Sequence, residues 1–481
     1  MAKAAASKKV YYHKLPVQLI KAIEKTNTGK LKKTTKAVSI RSTMKASGKQ
    51  FELKMRSDYF SSKPKEYKFG TEYRKVTFSS KSQTLVLEKL FFSNHSSNIL
   101  TGNIHSFYTK GYSKIKKYRY RLIIPLKHEM NFHYQIDETL YVSDFGYSTW
   151  NGLTCIINGE TMHAHIIHDK EKKKNYYLSI HSDKPQTYYN FSEKAFAVKN
   201  GIGYLTGYMA GDKGYFFTYT TAKMEVPKHL YFSSFRDTIR SHYRPVHSNP
   251  YSWLSSIPRK TAERLYKSNK IQPVSKTAFS TLCQKLYDSV EFTSVIMLIL
   301  ESSIASLLFM PGGYAIALES LSKMVMEGVK SKKIAPVPSK EMRDILKRFR
   351  AIIDSELAHI SSENRALLKH RVEQLNQPTN KAKLQLPFEL LNIPLNIQDL
   401  QILDSRNDFL HGRTPDITKA GSKRTVDRMN KDMYYSALRF STLLAKLILK
   451  WSGFDGYIVN QVRIHGKRLG IKCNEPYYIK L

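Results

Sequence analysis

The sequence predicts an α+β protein in which a β-rich, sandwich-like N-terminal domain precedes a C-terminal all-α helical bundle. Two observations carry that expectation. From about Val38 to Phe235 the chain is rich in Tyr, Phe, Thr, Val and Ile, in short runs separated by turn residues, a composition that suits pleated, half-buried surfaces. From Ala278 onward apolar residues recur at helical spacing, in segments bounded by Pro, Gly or Asn. Many short strands at close spacing favour a sandwich or barrel over a parallel sheet.

The elements follow in order. Residues 1–50 form a basic N-terminal segment with 13 Lys/Arg and one acid, Glu24. Residues 51–240 form the β-rich domain, read as a sensing or positioning module. Within it Thr154 to His168 is a hairpin, because Asn158-Gly159 tolerates the positive φ of a type I′ turn. A strand runs over Tyr176–Ile180, and a second hairpin pairs Gly203–Met209 with Tyr215–Thr220 around Gly211–Gly214. Residues 241–277, with Pro245, Pro250, Pro258 and Pro273, read as a connector carrying a short helix near Thr261–Ser268. The bundle spans 278–452, with helices over about Ala278–Met310, Tyr314–Lys330, Ser339–Leu357, Asn396–Gly412 and Thr425–Trp451. Residues 453–481 read as a hairpin turning at His465-Gly466-Lys467 and packed on the bundle.

Composition narrows the function classes. The 481 residues carry a formal charge of +39, while 41% are apolar and 12% aromatic. Such a chain has the apolar groups that disordered sequences lack, so the surplus charge sits on a folded body. A field of that sign attracts phosphate polymers or anionic membrane, and nucleic acid is the first partner to consider. Residues 1–250 hold +24 and residues 251–481 hold +15. Cys155, Cys283 and Cys473 are odd in number and form no CxxC pair, which suits a reducing compartment and excludes a cysteine zinc site. The start lacks the apolar core of a secretory signal. Phe292–Met310 is interrupted by Glu301 and four serines, so a buried helix is expected there rather than a membrane span. The expected location is the cytoplasm.

One segment carries chemistry. In the helix near 396–412, Leu400, Leu403 and Leu410 supply an apolar stripe, while Asp404, Asn407, Asp408 and His411 share a polar side. Arg406 lies five residues before His411, about 140° around the helix, and only its length brings the guanidinium towards the same side. An imidazole beside a permanent cation supplies a proton carrier near neutral pH and a phosphate ligand. That is the minimum for moving a ribose 2′-OH onto its own phosphate. His411 is then the general base or acid, Arg406 stabilises charge on the phosphorane, and Asn407 orients the imidazole or the phosphate. No metal or cofactor is required. The plainer alternative is an ordinary helix-end cap.

The segment Ser405-Arg-Asn-Asp-Phe-Leu-His-Gly-Arg413 resembles the RNxxxH signature of HEPN domains, and Ala317–Met324 resembles their acidic helix in the abortive-infection ApeA type. The resemblance covers about 278–452. It implies a metal-independent endoribonuclease, commonly a homodimer in which Arg and His of both protomers meet and leave a 2′,3′-cyclic phosphate. Arg406, Asn407 and His411 match the motif, with Glu319 and Asp408 in support, and Glu319 positions the Arg or His. It further implies an anti-phage effector that cuts RNA, with tRNA a candidate substrate, in answer to a phage-derived trigger. The alternative is a non-catalytic, basic RNA-binding adaptor or dimerisation module.

Four weaker signals remain. His163, His165 and His168 put two imidazoles on one strand face, but no acidic or Cys ligand of suitable spacing accompanies them, so a solvated face is the expected reading. Lys114–Arg121 interleaves Lys and Tyr as a base-stacking strand does, and as an exposed basic strand also does. His359 and His370 read as surface residues, while Tyr434 and Tyr435 face either the site or the helical core.

Overall fold

The computed structural model describes residues 10–33, 39–56, 72–73, 75–81, 83–96, 99–137, 141–143, 148–149, 151–169, 175–253, 257–268, 271–329, 337, 339–376, 379–417, 425–466, 470 and 473–481. They fall into two compact units, one of residues 1–304, 452–460 and 476–480, the other of 305–451, 461–475 and 481.

In the first unit β1 (Val10–Tyr11) leads into α1 (Lys14–Glu24), followed by β2 (Asn27–Lys33), β3 (Ser39–Ser47), β4 (Gln50–Arg56), β5 (Glu72–Tyr73), β6 (Val76–Ser80), β7 (Thr84–Ser96) and β8 (Ile99–Thr109). The ring β2-β3-β4-β8-β7-β6 closes on itself through antiparallel pairs, giving a six-stranded barrel where a sandwich was expected. Alternation decides which residues fill it: Phe51, Leu53 and Met55 of β4 point inward while Glu52 and Lys54 point out. Val17, Ile20 and Ile23 of α1 join the same core. Burying each such side chain contributes about 1.5–3 kcal/mol. Register shifts between Leu87 and Lys89 and between Phe92 and Asn94 bend the long β7–β8 pair, the curvature closure requires. At Gly29 a Cβ would lie 2.4 Å from the Ser79 carbonyl oxygen, so only glycine lets β2 meet β6.

The sheet leaves the barrel along β8. It continues through β17 (His229–Ser234), β16 (Lys213–Tyr219), β9 (Arg119–Leu126), β14 (Asn175–Ser182), β13 (Glu160–Asp169) and β12 (Gly152–Ile157). The hairpin of β12 and β13 turns at Asn158 and Gly159, with φ of 49° and 70°, as the sequence predicts. A small sheet joins β1 to β10 (Tyr141–Ser143) and β11 (Ser148–Thr149).

Helix α2 (Tyr188–Thr206) corrects the second expected hairpin. Gly203–Thr206 is helical, and β15 (Tyr208–Met209) pairs with β18 (Ile239–Arg240) instead of β16. Most of α2 is buried around its whole circumference, so the amphipathic period that marks a surface helix is missing and its aromatics imitate a strand. The connector is part of the first unit. It holds α3 (Arg259–Lys267), close to the expected helix, and a bridge between Ile136 and Val274.

The helix expected over 278–310 is two helices, α4 (Lys276–Asp288) and α5 (Val290–Ser302). Ser289 ends the first and caps the second, its hydroxyl accepting from the Phe292 N–H at 3.0 Å. Both belong to the first unit, so the helical unit begins near 305 rather than 278.

The second unit contains α6 (Met310–Val329), α7 (Ser339–Glu356), α8 (Ser362–Glu373), α9 (Asn380–Leu390), α10 (Ile397–Leu410) and α11 (Val426–Trp451). Helix α6 touches α9, α10 and α11, while α7 and α8 pair with each other. Pro311 sits in the first turn of α6, where its missing N–H costs no hydrogen bond. The C-terminal strands β19 (Tyr457–Val459) and β20 (Tyr478–Lys480) do pair, but α12 (Gln461–Gly466) stands between them where a turn was expected. They belong to the first unit, not to the bundle. No helix among the described residues is long and apolar enough to cross a membrane.

Candidate active site

Helix α10 is held at both ends by its own sequence. Asn396 and Asp399 form a reciprocal capping box at the N-terminus, with the Asp399 N–H donating to Asn396 Oδ1 at 2.8 Å. At the C-terminus Gly412 takes φ of 69°. There the Gly412 N–H donates to Phe409 and the Arg413 N–H to Asp408, a Schellman cap. His411 is the C-cap residue.

The buried stripe of α10 is Asp399, Ile402, Leu403 and Arg406, at i, i+3, i+4 and i+7. Arg406 therefore belongs to the packed face, while Asp404, Asn407 and His411 are exposed on the polar side that the spacing predicts. Only 5% of Arg406 is exposed. Its Nη2 pairs with Glu319 Oε2 of α6, and its Nη1 donates to Asn407 Oδ1 at 2.5 Å. The side chain of Glu319 is 53% exposed, so the ion pair opens to water at the protein surface. The Arg406 Nε has no partner among the described residues.

The structure thus brings Arg406, Asn407 and Glu319 together. His411 lies one turn beyond Asn407 with an exposed side chain, and its backbone N–H donates to the Asn407 and Asp408 carbonyls. Asn407 turns its amide oxygen to Arg406 rather than to His411. Asp408 serves the cap through its carbonyl, and Asp404 pairs with Lys381 at 2.7 Å. An exposed imidazole, a clamped guanidinium and the outward face of Asn407 suit proton transfer and phosphate contact at one helix end.

Sequence reasoning missed what anchors the other end. Asp399 is fully buried, and its carboxylate meets Lys446 Nζ at 2.7 Å and Arg439 Nη1 at 3.3 Å, both from α11. Arg439 also makes a bidentate pair with Glu475, at 2.9 and 2.6 Å, and donates to Tyr435 Oη at 3.0 Å. Burial works against the Arg439 charge, yet Glu475, Tyr435 and Asp399 raise its pKa above the usual value. Tyr435 thereby belongs to this network. The only sequence signal was an unusual density of charged residues on the inner faces of α10 and α11.

Other expectations resolve as follows. In Lys114–Arg121 the rings of Tyr118 and Tyr120 are buried, and Lys114 pairs with Glu88 at 2.7 Å over the Tyr231 ring. These tyrosines form core, so the base-stacking strand is excluded. His359 and His370 are exposed as expected. The three cysteines are free. His163 and His165 are buried, not solvated, while His168 stacks on Tyr176 at 4.9 Å. The first unit also holds a cavity of about 500 Å³ lined in part by Phe196, Lys199, Met209, Met297 and Leu298. Burial and the nearby Arg236 lower the Lys199 amine to about 8.

No family model matches the chain, and neither the curated proteins nor the solved structures contain a significant match to it.

Proposed function

We propose that the chain is a metal-independent endoribonuclease of the HEPN kind, with its site at the C-terminal end of α10. The observation that carries this reading is the clamp on Arg406. A nearly buried guanidinium in a helix stripe is unusual, and here Glu319 and Asn407 hold it, with the exposed His411 one turn beyond Asn407. In the proposed reaction a ribose 2′-oxygen attacks the adjacent phosphorus and the 5′-oxygen leaves. His411 takes or returns the proton, Arg406 offsets the charge gathering on the phosphorane, and a 2′,3′-cyclic phosphate and a 5′-hydroxyl remain.

The formal charge of +39 favours an RNA substrate, tRNA among the candidates. The resemblance adds a cytoplasmic anti-phage effector that responds to a phage-derived trigger. Leu308, Phe309 and Ile316 are exposed beside and along α6, the helix that carries Glu319, and this apolar surface favours a homodimer in which two sites lie close together. The test is cleavage of total RNA and tRNA in EDTA by the intact chain and by His411→Ala. Cyclic-phosphate ends from the intact chain alone are expected. Salt-sensitive binding without new ends, at any trigger condition, would mark a non-catalytic adaptor instead.

A further inference from the structure

The His163-x-His165 motif gains its missing partners from the neighbouring strand. In the register of β12, β13 and β14, Thr154 pairs with His163 and His163 pairs with His181, so the three stand in one row across the sheet. The His163 and His181 rings stack with centroids 5.0 Å apart at 24°. Asp183, two residues beyond His181 and just past the end of β14, returns its carboxylate to the same place.

We propose that His163, His181 and Asp183 form a binding site for a divalent transition-metal ion of the Zn²⁺ class in the first unit. One donor atom from each lies within 4.8 Å of the others. His163 Nε2 and Asp183 Oδ2 are 3.2 Å apart. Two ligands on a tetrahedral ion with bonds of about 2.0–2.1 Å stand about 3.3 Å apart, so this edge of the site already has the right span. Two imidazoles and a carboxylate match the affinities of zinc, iron, cobalt and nickel rather than calcium or magnesium.

The surroundings fit a metal centre as well. Thr154 Oγ1 lies 3.2 Å from His163 Nδ1, the position of the outer partner that fixes the tautomer of a ligating imidazole. With Nδ1 protonated towards Thr154, the Nε2 lone pair and the Asp183 carboxylate face each other, an arrangement that a cation between them stabilises. His163 and His181 are 8% and 1% exposed and therefore held in place, whereas the Asp183 side chain is 49% exposed and leaves an approach and an open position for water. The next residue in the row is Arg121. Its guanidinium goes to the Tyr12 carbonyl and stands over the Tyr219 ring, outside the donor set. His165 is occupied elsewhere, with its Nε2 2.7 Å from His13 Nε2.

The alternative is a metal-free hydrogen bond from His163 Nε2–H to Asp183, and titration separates the two. Full-length protein stripped with EDTA and dialysed is titrated with Zn²⁺ by calorimetry and with Co²⁺ by visible absorption. The expected result is one saturable site per chain with Kd below about 1 μM and tetrahedral Co²⁺ bands. Asp183→Asn, at a half-exposed position that leaves the fold intact, weakens binding by at least about 100-fold, and Thr154→Val weakens it about 10-fold. His163→Gln abolishes the Co²⁺ bands. No saturable site in the intact chain, or equal Zn²⁺ affinity in Asp183→Asn, overturns the proposal. Because the readout is metal binding, the result is independent of whether RNA is cleaved.

Discussion

Replacing Asp399 by Ala tests whether a buried charge network sets the placement of α10. In the native protein the carboxylate is fully buried, 2.7 Å from Lys446 Nζ and 3.3 Å from Arg439 Nη1, and it closes the capping box. Removing it leaves the two cations in different situations. Among the described residues, Arg439 keeps its bidentate partner Glu475, whereas Lys446 keeps only a long contact to the Pro394 carbonyl, at 3.5 Å. An uncompensated buried charge costs about 3–5 kcal/mol. Loss of the carboxylate half of the capping box adds about 0.5 kcal/mol, because Asn396 still caps the helix. Asp399→Ala therefore loses about 3.5–5.5 kcal/mol in urea unfolding. Replacing both charges with apolar groups, as Asp399→Leu with Lys446→Met, removes the desolvation cost together with the attraction, so the double variant lies within about 1–2 kcal/mol of the native protein. A loss below about 1 kcal/mol in the single variant, or additive losses in the double, refutes the reasoning.

Two further outcomes follow from the geometry. Glu319→Gln costs about 1–3 kcal/mol, since the guanidinium is nearly buried while the pair is open to water only on the Glu319 side. It releases the guanidinium, so RNA cleavage falls about 10-fold or more while RNA affinity is kept, and unchanged cleavage rates in single turnover count against the clamp. His247 is buried and stacked on Tyr134 at 5.2 Å, and burial with the Arg244 charge brings it down to about 3. Its folded pKa lies below the unfolded value near 6.5. As pH falls below about 6.5 the unfolded chain takes up the proton first, and stability drops by about 1.4 kcal/mol per pH unit down to about 3. Above about 6.5 this group contributes no slope. Because burial also lowers His13, His165 and His181, urea melts at pH 6.5 and 5 show a loss in both proteins that is smaller by about 2 kcal/mol in His247→Asn, and equal slopes in both remove His247 as a cause.

What the sequence discloses depends on how local the cause is. The hairpin at Asn158-Gly159 was legible because two adjacent residues fix the turn, and the polar side of α10 was legible because its spacing is set by one helix. Helix α2 was hidden because a helix buried on every side carries no amphipathic period. The division at Ser289 turns on one hydroxyl accepting one N–H, and the same serine inside a long apolar stretch reads as a tolerated interruption.

The sites divide along the same line. Arg406, Asn407 and His411 were visible as a contiguous motif, but the place of Arg406 in the buried stripe was not, since that depends on where α6 lies. Asp399 finds its partners 40 and 47 residues away on α11, and Arg439 finds Glu475 36 residues on. His181 and Asp183 become partners of His163 only through strand register, so a linear search for an acidic ligand beside the histidines passes over them.

The most direct test of the central claim is to incubate the purified chain with total RNA and tRNA in EDTA, beside His411→Ala of matched thermal stability, and to sequence the RNA ends. The account predicts 2′,3′-cyclic phosphate ends at defined positions with the native chain, and a loss of about 10²–10⁴ in rate with His411→Ala. Equal cleavage by the two proteins contradicts the role given to His411. No cleavage by either, with or without phage lysate, contradicts catalysis at the end of α10.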